Sequence, residues 1–138
     1  MAQAVQMAQY YKMVVSNKTG QGLKILDHLQ KSKVDLLSLL AFPKKGKAQV
    51  DFVPVDAAKF TAAAKQAKWK IKGPKTCFII DSKDQIGALV PYATKLTEAK
   101  INIRAIAAVN GGAGRCGAIL WVDPQDVKKA AEALGAKE

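Results

Sequence analysis

The sequence resembles itself at a separation of 67 residues. Three pairs of segments share this separation: "VDAAKFTAAAKQ" from Val55 with "VDPQDVKKAAEA" from Val122, "VDLL" from Val34 with "INIR" from Ile101, and Gly20 with Gly87. One offset that holds at three places without a gap indicates a duplicated unit. We therefore predict two copies in tandem, over residues 9–73 and 76–138.

Each copy has the same pattern of elements. A short aromatic and β-branched strand, "YYKMVVS" or "TCFIID", leads through a glycine turn into a helix predicted at 20–32 or 86–99. Two strands then form a hairpin, and a second helix begins at Asp56 or Asp123, both good N-caps. "WKIK", Trp69 to Lys72, closes the first copy as a strand, whereas the last strand of the second copy is short or absent.

The order βαββαβ, twice, favours an α+β fold. It predicts two ferredoxin-like units in tandem, with antiparallel sheets and the helices of each unit on one face. A unit of about 65 residues has a marginal core by itself, and its open sheet edges favour pairing across copies or across a dimer.

Composition bounds the class of protein. The chain of 138 residues is 49% hydrophobic, which predicts a packed core, and it has no apolar run long enough for a membrane span. The first residues lack the features of a signal peptide, so we expect a cytoplasmic protein with no membrane partner. The cysteines, Cys77 and Cys116, match no metal spacing.

The net charge is +11, from 22 basic and 11 acidic residues. Only Arg104 and Arg115 are arginines, and the lysines lie along both halves of the sequence. Because base recognition usually depends on arginine, we interpret the lysines as a solvated surface, which makes a nucleic-acid partner unlikely.

The segment "NGGAGRCG", Asn110 to Gly117, fits the spacing G-x-G-x-x-G of dinucleotide-binding loops. Such a loop has to follow a strand and open a helix, so that the helix start meets the phosphates. Here "AILWV" follows, which reads as a strand. The segment therefore predicts a hairpin turn, and we expect neither a dinucleotide nor another cofactor or metal.

The turns between strand and helix are better candidates for a ligand site. "SNKTGQG" and "DSKDQIGA" each enter the first helix of a copy, where free backbone N–H groups attract a carboxylate. Asp35 and Asn102 begin the next strand at equivalent places, and either side chain can accept from an ammonium. The two groups together would recognise an amino acid, provided that the strands bring them close. The simpler alternative is that the glycines cap the helices and the polar side chains satisfy local backbone.

The segment "DQIGALVPYATKLTEAKINIRAIAA" resembles the signature of the ACT-domain family, and "TGQGLKILDHLQKSKVDLLSL" is a weaker match. The order of the motifs covers almost the whole chain as a free-standing tandem pair. This resemblance implies a regulatory protein, paired domains and a small ligand, most often an amino acid, at the domain interface, and we expect a homodimer. The positions that match the family's ligand site are Asp84, Gln85, Ile86, Gly87, Ala88, Asn102 and Ile103 in the second copy, and Asn17, Thr19, Gly20 and Asp35 in the first.

The chain departs from the family's pattern in two respects. Ile86 and Thr19 stand where the family often has proline, and Asp35 replaces asparagine. The first site would therefore be more anionic and would bind nothing or a different ligand. The second copy is the better site.

The sequence gives weaker support to two other classes of function. The stretch from Lys45 to Phe52 echoes the third strand of an RNA-recognition motif, but Lys47 and Gln49 occupy its other aromatic positions. Catalysis has little support, because the single histidine, His28, is expected to face solvent and no nucleophile–base arrangement is apparent. We expect no enzyme. The alternative to a regulatory protein is a basic ferredoxin-like module that binds nucleic acid or another polyanion.

Overall fold

The computed structural model describes residues 4–137. Met1 to Gln3, which open the segment that lacks signal-peptide features, and Glu138, the last residue of the predicted second copy, lie outside the described residues. The described chain divides into two compact units. The first unit consists of residues 9–75, and the second consists of residues 4–8 together with residues 76–137.

The first unit contains three strands and two helices of the predicted pattern, together with the beginning of a fourth strand. Its elements are β1 (Ala4–Ser16, from Gln9 onward), α1 (Gln21–Lys31), β2 (Leu36–Lys44), β3 (Lys47–Pro54), α2 (Ala57–Gln66) and the first residues of β4 (Lys72–Lys83). The strands β2, β3 and β1 lie side by side in that order and are antiparallel. The order of elements follows the sequence prediction.

Both helices of the first unit cover the same face of its sheet. Tyr11 lies opposite Phe52 in the β1–β3 pair, so the two side chains point to one face. They pack in one cluster with Ile25 of α1 and Phe60 of α2, and Phe52 and Phe60 are fully buried. We call this face the helix side and the opposite face the open side.

The second unit is built in the same way. Its elements are the remainder of β4, α3 (Val90–Glu98), β5 (Ile103–Gly112), β6 (Arg115–Val122), a short 3-10 helix (Pro124–Asp126) and α4 (Val127–Leu134). The strand order is β4, β6, β5, again antiparallel. Phe78, Leu120 and Leu96 form the centre of its core and are fully buried. The α+β class with antiparallel strands and four α-helices is therefore confirmed, while duplication as the origin of the two units stays a prediction.

Residues 4–8 stand in for a closing strand in the second unit. Val5 is 5% exposed and belongs to the core of this unit, and the thiol of Cys77 donates to the carbonyl oxygen of Ala8 at 3.6 Å. After α4 the described chain forms only an isolated parallel bridge, from Lys137 to Gln6. Residues 4–8 thus supply a strand segment to the second unit, in which the described residues after α4 form no full strand.

Two sequence predictions in the first unit are wrong. Trp69 to Ile71 is not a strand, because the N–H of Trp69 donates to Ala64 at 2.9 Å to close α2, and β4 begins only at Lys72. His28 does not face solvent freely. Its Nε2 lies 2.8 Å from the carbonyl oxygen of Ala63, and its ring meets the indole of Trp69 edge-on at 5.2 Å. Its position by sequence alone could not show this contact, since it joins α1 to α2.

The two predicted N-caps differ. Asp56 caps α2 as expected, accepting from the N–H groups of Ala58 and Lys59 at 3.0 and 3.2 Å. Asp123 precedes the 3-10 helix and makes no capping hydrogen bond with its side chain, which binds Arg104 at 2.9 Å instead. α4 consequently begins at Val127, three residues beyond Pro124.

The constant offset between the two copies fails inside the hairpins. Leu39 lies opposite Phe52, and Ile106 lies opposite Leu120. The first members differ by 67 residues (106 − 39), but their partners differ by 68 (120 − 52). An irregularity in the β5–β6 pairing between Asn110 and Gly112 accounts for the extra residue.

Candidate functional site

The turn after β4 leads into α3 and contains the glycine of the predicted site. Gly87 has φ +71°, in the left-handed region where a side chain is strained. The N–H of Ala88 donates to the carbonyl oxygen of Gln85 at 3.1 Å, as that of Gln21 donates to Lys18 at 3.2 Å in the first unit. The two glycine turns thus share their geometry.

The helices that follow the two turns start at different distances in sequence from their glycines. In the first unit α1 begins at Gln21, directly after Gly20, whereas α3 begins at Val90. The prediction that this helix begins at 86 is therefore wrong. Pro91 stands where the first unit has Lys24, and proline has no N–H to donate to the carbonyl oxygen four residues earlier. The N–H of Val90 bonds Gly87 at 3.0 Å instead, which makes a tighter turn.

Neither helix start is occupied by a side chain of the chain itself. The N-cap residues, Gly20 and Leu89, make no side-chain capping hydrogen bond, and the first turn of each helix holds no acidic residue. Backbone N–H groups at a helix start favour an anion. Side chains of the N-cap and the first turn therefore do not compete with an anion at either place, although in α3 the N–H of Val90 is already bonded and Pro91 has none.

The side chains around Gly87 have distinct settings. Ile86 is fully exposed, and Ala88 is buried at 7% exposure. Gln85 is exposed, and its carbonyl oxygen closes the turn. The side chain of Ala88 is therefore packed into the protein, whereas the apolar side chain of Ile86 projects from the turn into solvent.

Asp84 is bound to the glycine-rich hairpin. Its carboxylate accepts a hydrogen bond from the side-chain amide of Asn110, and its N–H donates to the carbonyl oxygen of Gly114 at 2.9 Å. Asp81 is held in a similar way by Arg115, at 2.9 Å. Sequence reasoning missed this contact between two segments about 30 residues apart, because it depends on the pairing of β4 with β6, which sets Lys83 opposite Arg115.

The segment "NGGAGRCG" forms the hairpin turn that was predicted. Gly112 pairs with Arg115, and the two residues between them, Ala113 and Gly114, have φ +58° and +72°. Positive φ at both central residues is typical of a type I′ turn. The strand β6 follows directly, so the glycines do not open a helix.

Asn102 and Ile103 lie at the other end of the second unit. Ile103 is opposite Val122, whereas Lys83 is opposite Arg115, seven residues away along β6. At about 3.3 Å per residue, the start of β5 is about 23 Å along the strands from the end of β4. The structure does not bring Asn102 and Gly87 together within one unit, because α3 carries the chain back along the sheet between them.

The first unit distributes its predicted site residues in the same manner. Asn17, Thr19 and Gly20 are exposed and follow the end of β1. Asp35 precedes β2 at the opposite end, and its Oδ1 accepts from the N–H of Leu36 at 2.9 Å. The carboxylate of Asp35 is thus engaged by its own backbone, as the simpler interpretation of the sequence expects.

The echo of an RNA-recognition motif does not lead to a base-stacking surface. Val50 and Phe52 belong to the core under α1 and α2, and Phe52 is 0% exposed. A nucleic-acid base in solvent therefore cannot stack on Phe52 or contact Val50.

Residues 4–137 contain neither a cluster of metal ligands nor a helix fit to span a membrane. No group of three His, Cys, Asp or Glu side chains in this range is arranged to hold a metal ion. No helix in the described part of the chain is long and apolar enough to cross a membrane.

Comparisons with known proteins identify the fold. No protein-family model and no curated protein matches the sequence. Among solved structures, a protein from Bacteroides thetaiotaomicron aligns with a TM-score of 0.80 at 17% identity, over 95% of this chain and 88% of that one. The regulatory subunit of aspartate kinase from Thermus thermophilus, in its ligand-free form, aligns with a TM-score of 0.65 at 12% identity, over 98% and 96%.

A putative C-terminal regulatory domain of aspartate kinase from Porphyromonas gingivalis aligns with a TM-score of 0.55 at 15% identity, over 97% of this chain and 95% of that chain. The likeness to these regulatory subunits and domains is one of fold. The chain has the fold of ACT-type regulatory domains, as the resemblance in its sequence predicts.

Proposed function

We propose that this chain is a non-catalytic regulatory protein that binds an amino acid where the second units of two copies meet. The observation that carries the proposal is the start of α3, where Gly87 opens the backbone and no side chain caps the helix. The fold shared with regulatory subunits of aspartate kinase supports the same class of function.

An amino acid fits the chemistry of the two predicted groups. Its carboxylate would accept hydrogen bonds from backbone N–H groups of the turn around Gly87 other than those of Ala88 and Val90, which the turn itself uses. Its ammonium would donate to the side-chain oxygen of Asn102, whose amide can also donate to a carboxylate. Asn102 is exposed, and its side chain is available for such a contact.

Two copies are needed because Asn102 and Gly87 lie at opposite ends of the second unit. β5 is the outer strand of this unit, and among the described residues it pairs with β6 alone. An isologous dimer that pairs the β5 edges antiparallel would turn one copy end over end. If the twofold axis of this dimer passes near Ala107, Asn102 of one copy lies opposite Gly112 of the other, since each is five residues from Ala107. Gly112 belongs to the hairpin that binds Asp84.

Exposed apolar side chains support this edge as an interface. Ile106 on β5 is 45% exposed although it lies opposite the fully buried Leu120, and Ile86 and Val90 project at the start of α3. Such side chains around an open strand edge favour burial against another protein surface. The homodimer and the cytoplasmic location predicted from the sequence are part of this proposal.

The first unit is proposed to bind a different ligand or none. Asp35 replaces the asparagine, and its carboxylate would repel that of an amino acid. The tandem arrangement over 9–73 and 76–138 would thus keep one ligand site and one altered site.

A thermal-shift screen of the twenty amino acids tests the class of ligand. A ligand present at about 100 times its dissociation constant should stabilise the folded chain by about 2.7 kcal/mol. If no amino acid raises the melting temperature, the proposed ligand class is wrong.

A complementation experiment tests the site between copies. Asn102→Ala and Gly87→Val should each bind poorly alone. Equal mixing of the two variants after exchange of subunits should restore binding at about a quarter of the sites, because half of the dimers are mixed and one site in each is intact. A site within one chain predicts no recovery. Mixing either single variant with a double variant that carries both changes is the matched control and should recover nothing, because no dimer then has an intact site.

A further inference from the structure

The positive charge of the chain is concentrated in the first unit. Residues 9–75 contain fourteen lysines and four acidic residues, a net charge of +10. The remaining residues contain eight basic and seven acidic side chains, a net charge of +1. The lysines lie along both halves of the sequence, but nearly all of the net charge belongs to the first unit.

The acidic residues of the first unit do little to balance this charge. Each is engaged close to its own position: Asp27 with Lys31 at 2.8 Å, Asp35 with the N–H of Leu36, Asp51 with the side chain of Gln49, and Asp56 as the cap of α2. The hydrogen bond and the charge of Asp27 raise the pKa of Lys31. Lys31 is the only lysine of residues 9–75 for which the structure shows an ion pair.

The β2–β3 hairpin holds three lysines, of which Lys44 donates to the side-chain oxygen of Gln49 at 3.1 Å. Lys44 and Lys47 lie directly opposite each other, a like-charged pair that destabilises the sheet. Lys45, in the turn between them, has φ +48°, a conformation that favours glycine, asparagine or aspartate. The corresponding turn of the second unit has Gly112 opposite Arg115, with Ala113 and Gly114 between them. The opposed charges of Lys44 and Lys47 and the backbone conformation of Lys45 thus each lower the stability of the hairpin.

These lysines share the open side of the sheet with an aromatic ring. The register puts Lys44 and Lys47 on the face opposite to Phe52, together with Phe42, which is 37% exposed. Lys12, on the same side of β1, lies opposite Asp51. Gln49, Asp51 and Val53 on this side are buried, so solvent reaches the open side at the hairpin end, where it combines cationic groups with an accessible ring.

A second basic segment joins α2 to β4. Five exposed lysines occur within eleven residues that contain no acidic side chain: Lys65, Lys68, Lys70, Lys72 and Lys75. α2 covers the helix side, so lysines occur both there and on the open side. A flat bilayer could contact only one of these faces at a time, whereas a flexible polyanion can follow both.

We propose that the first unit binds single-stranded nucleic acid through its phosphate backbone, with the hairpin lysines Lys44, Lys45 and Lys47 as the principal contacts and Phe42 as a stacking ring. Lysine neutralises phosphates but does not make the bidentate base contacts of arginine, so binding shows no sequence preference. Base stacking on an aromatic ring is likewise tolerant of sequence. This activity is independent of the amino-acid site in the second unit.

The test uses the full chain and a fluorescein-labelled oligo(dT) of about thirty nucleotides, with fluorescence anisotropy as the readout. Binding should be clear at about 50 mM salt and should be largely lost by about 200 mM. The triple variant Lys44→Gln, Lys45→Asn, Lys47→Gln should bind tenfold or more weakly at about 50 mM salt. The slope of log affinity against log salt should fall by about 2, since each lost phosphate contact on a single strand contributes about 0.7.

A matched triple variant in the second unit is the control. Lys95→Gln, Lys100→Asn, Lys129→Gln also removes three exposed charges, including one lysine in the left-handed region, with φ +60°. It should bind oligo(dT) within about twofold of wild type, because a general loss of net charge has a small effect compared with lost contacts. Phe42→Ala should weaken binding about fivefold or more without changing the salt slope. Circular dichroism of each variant establishes that it is folded.

Three outcomes overturn the proposal. Wild type fails to bind oligo(dT) at about 50 mM salt, the two triple variants lose affinity equally, or the chain binds vesicles of phosphatidylserine and phosphatidylcholine but not oligo(dT). The last outcome would assign the lysines to a membrane surface.

Discussion

The backbone N–H of Lys24 donates to the carbonyl oxygen of Gly20 at 3.0 Å and closes the first turn of α1. In the second unit Pro91 takes the place of this lysine and cannot make the bond. α3 therefore starts three residues after Gly87, at Val90. One residue type thus shapes the turn to which the ligand site is assigned.

Pro91→Ala should lengthen α3 toward Gly87. The new N–H at position 91 can donate to the carbonyl oxygen of Gly87, as in the first unit. We expect that amide to be protected from hydrogen exchange and the chemical shifts of Ala88 and Leu89 to become helical, as NMR would show. An unprotected amide at position 91, with α3 still beginning at Val90, would mean that proline is not the cause.

Asp56→Ala should destabilise the chain by about 1 kcal/mol, because it removes the N-cap of α2 and its two hydrogen bonds. Asp123→Ala is the matched variant in the second unit. It breaks the exposed pair with Arg104 but no cap, so its effect should be about 0.5 kcal/mol or less. Urea denaturation of both variants measures the difference. Equal losses of stability would show that both aspartates act as N-caps, as the sequence predicts.

Gly73→Ala should be strongly destabilising. A Cβ at this position would lie 2.8 Å from the carbonyl oxygen of Tyr10, and φ is +136°. Clash and strain together should cost about 2 kcal/mol or more. Gly22→Ala, in α1 with nothing within 4 Å of the added Cβ, should instead stabilise by about 0.5–1 kcal/mol. Thermal unfolding of the pair should shift in opposite directions.

Asn102→Ala and Gly87→Val should each weaken the binding of the amino acid found in the screen by about tenfold to a hundredfold, as expected for the loss of a good hydrogen bond to a charged group. Asp35→Ala should matter less, because its carboxylate already accepts from the N–H of Leu36. Isothermal titration calorimetry on the three variants provides the comparison. Wild-type affinity in folded Asn102→Ala would place the site elsewhere.

Much of the fold follows from the sequence, because the patterns that reveal it are local. Runs of aromatic and β-branched residues indicate β1 and β4, helical spacing defines α1 through Ile25 and Leu29, and a glycine turn precedes the first helix of each unit. The hairpin nature of "NGGAGRCG" follows from the strand that comes after it. Hydrogen bonds between near neighbours and the periodicity of side chains determine these features.

The candidate site was less accessible to sequence reasoning. The sequence identifies Gly87 and Asn102 as a pair, but their separation depends on the level at which β4 and β5 pair with β6. The contact of Asp84 with Asn110 depends on the same register. Register between distant strands is set by which side chains pack into the common core, and no local pattern reports it.

The sequence by itself determined the element types other than at Trp69 to Ile71, their order and the glycine turns, since each rests on interactions within a few residues. Only the tertiary structure decided that residues 4–8 join the second unit, that His28 binds Ala63, and that Asn102 lies at the far end from Gly87. These relationships join residues that are distant in the chain. They form because burial of the apolar clusters around Phe52 and Leu120 selects one arrangement of the strands, and the polar contacts follow from it.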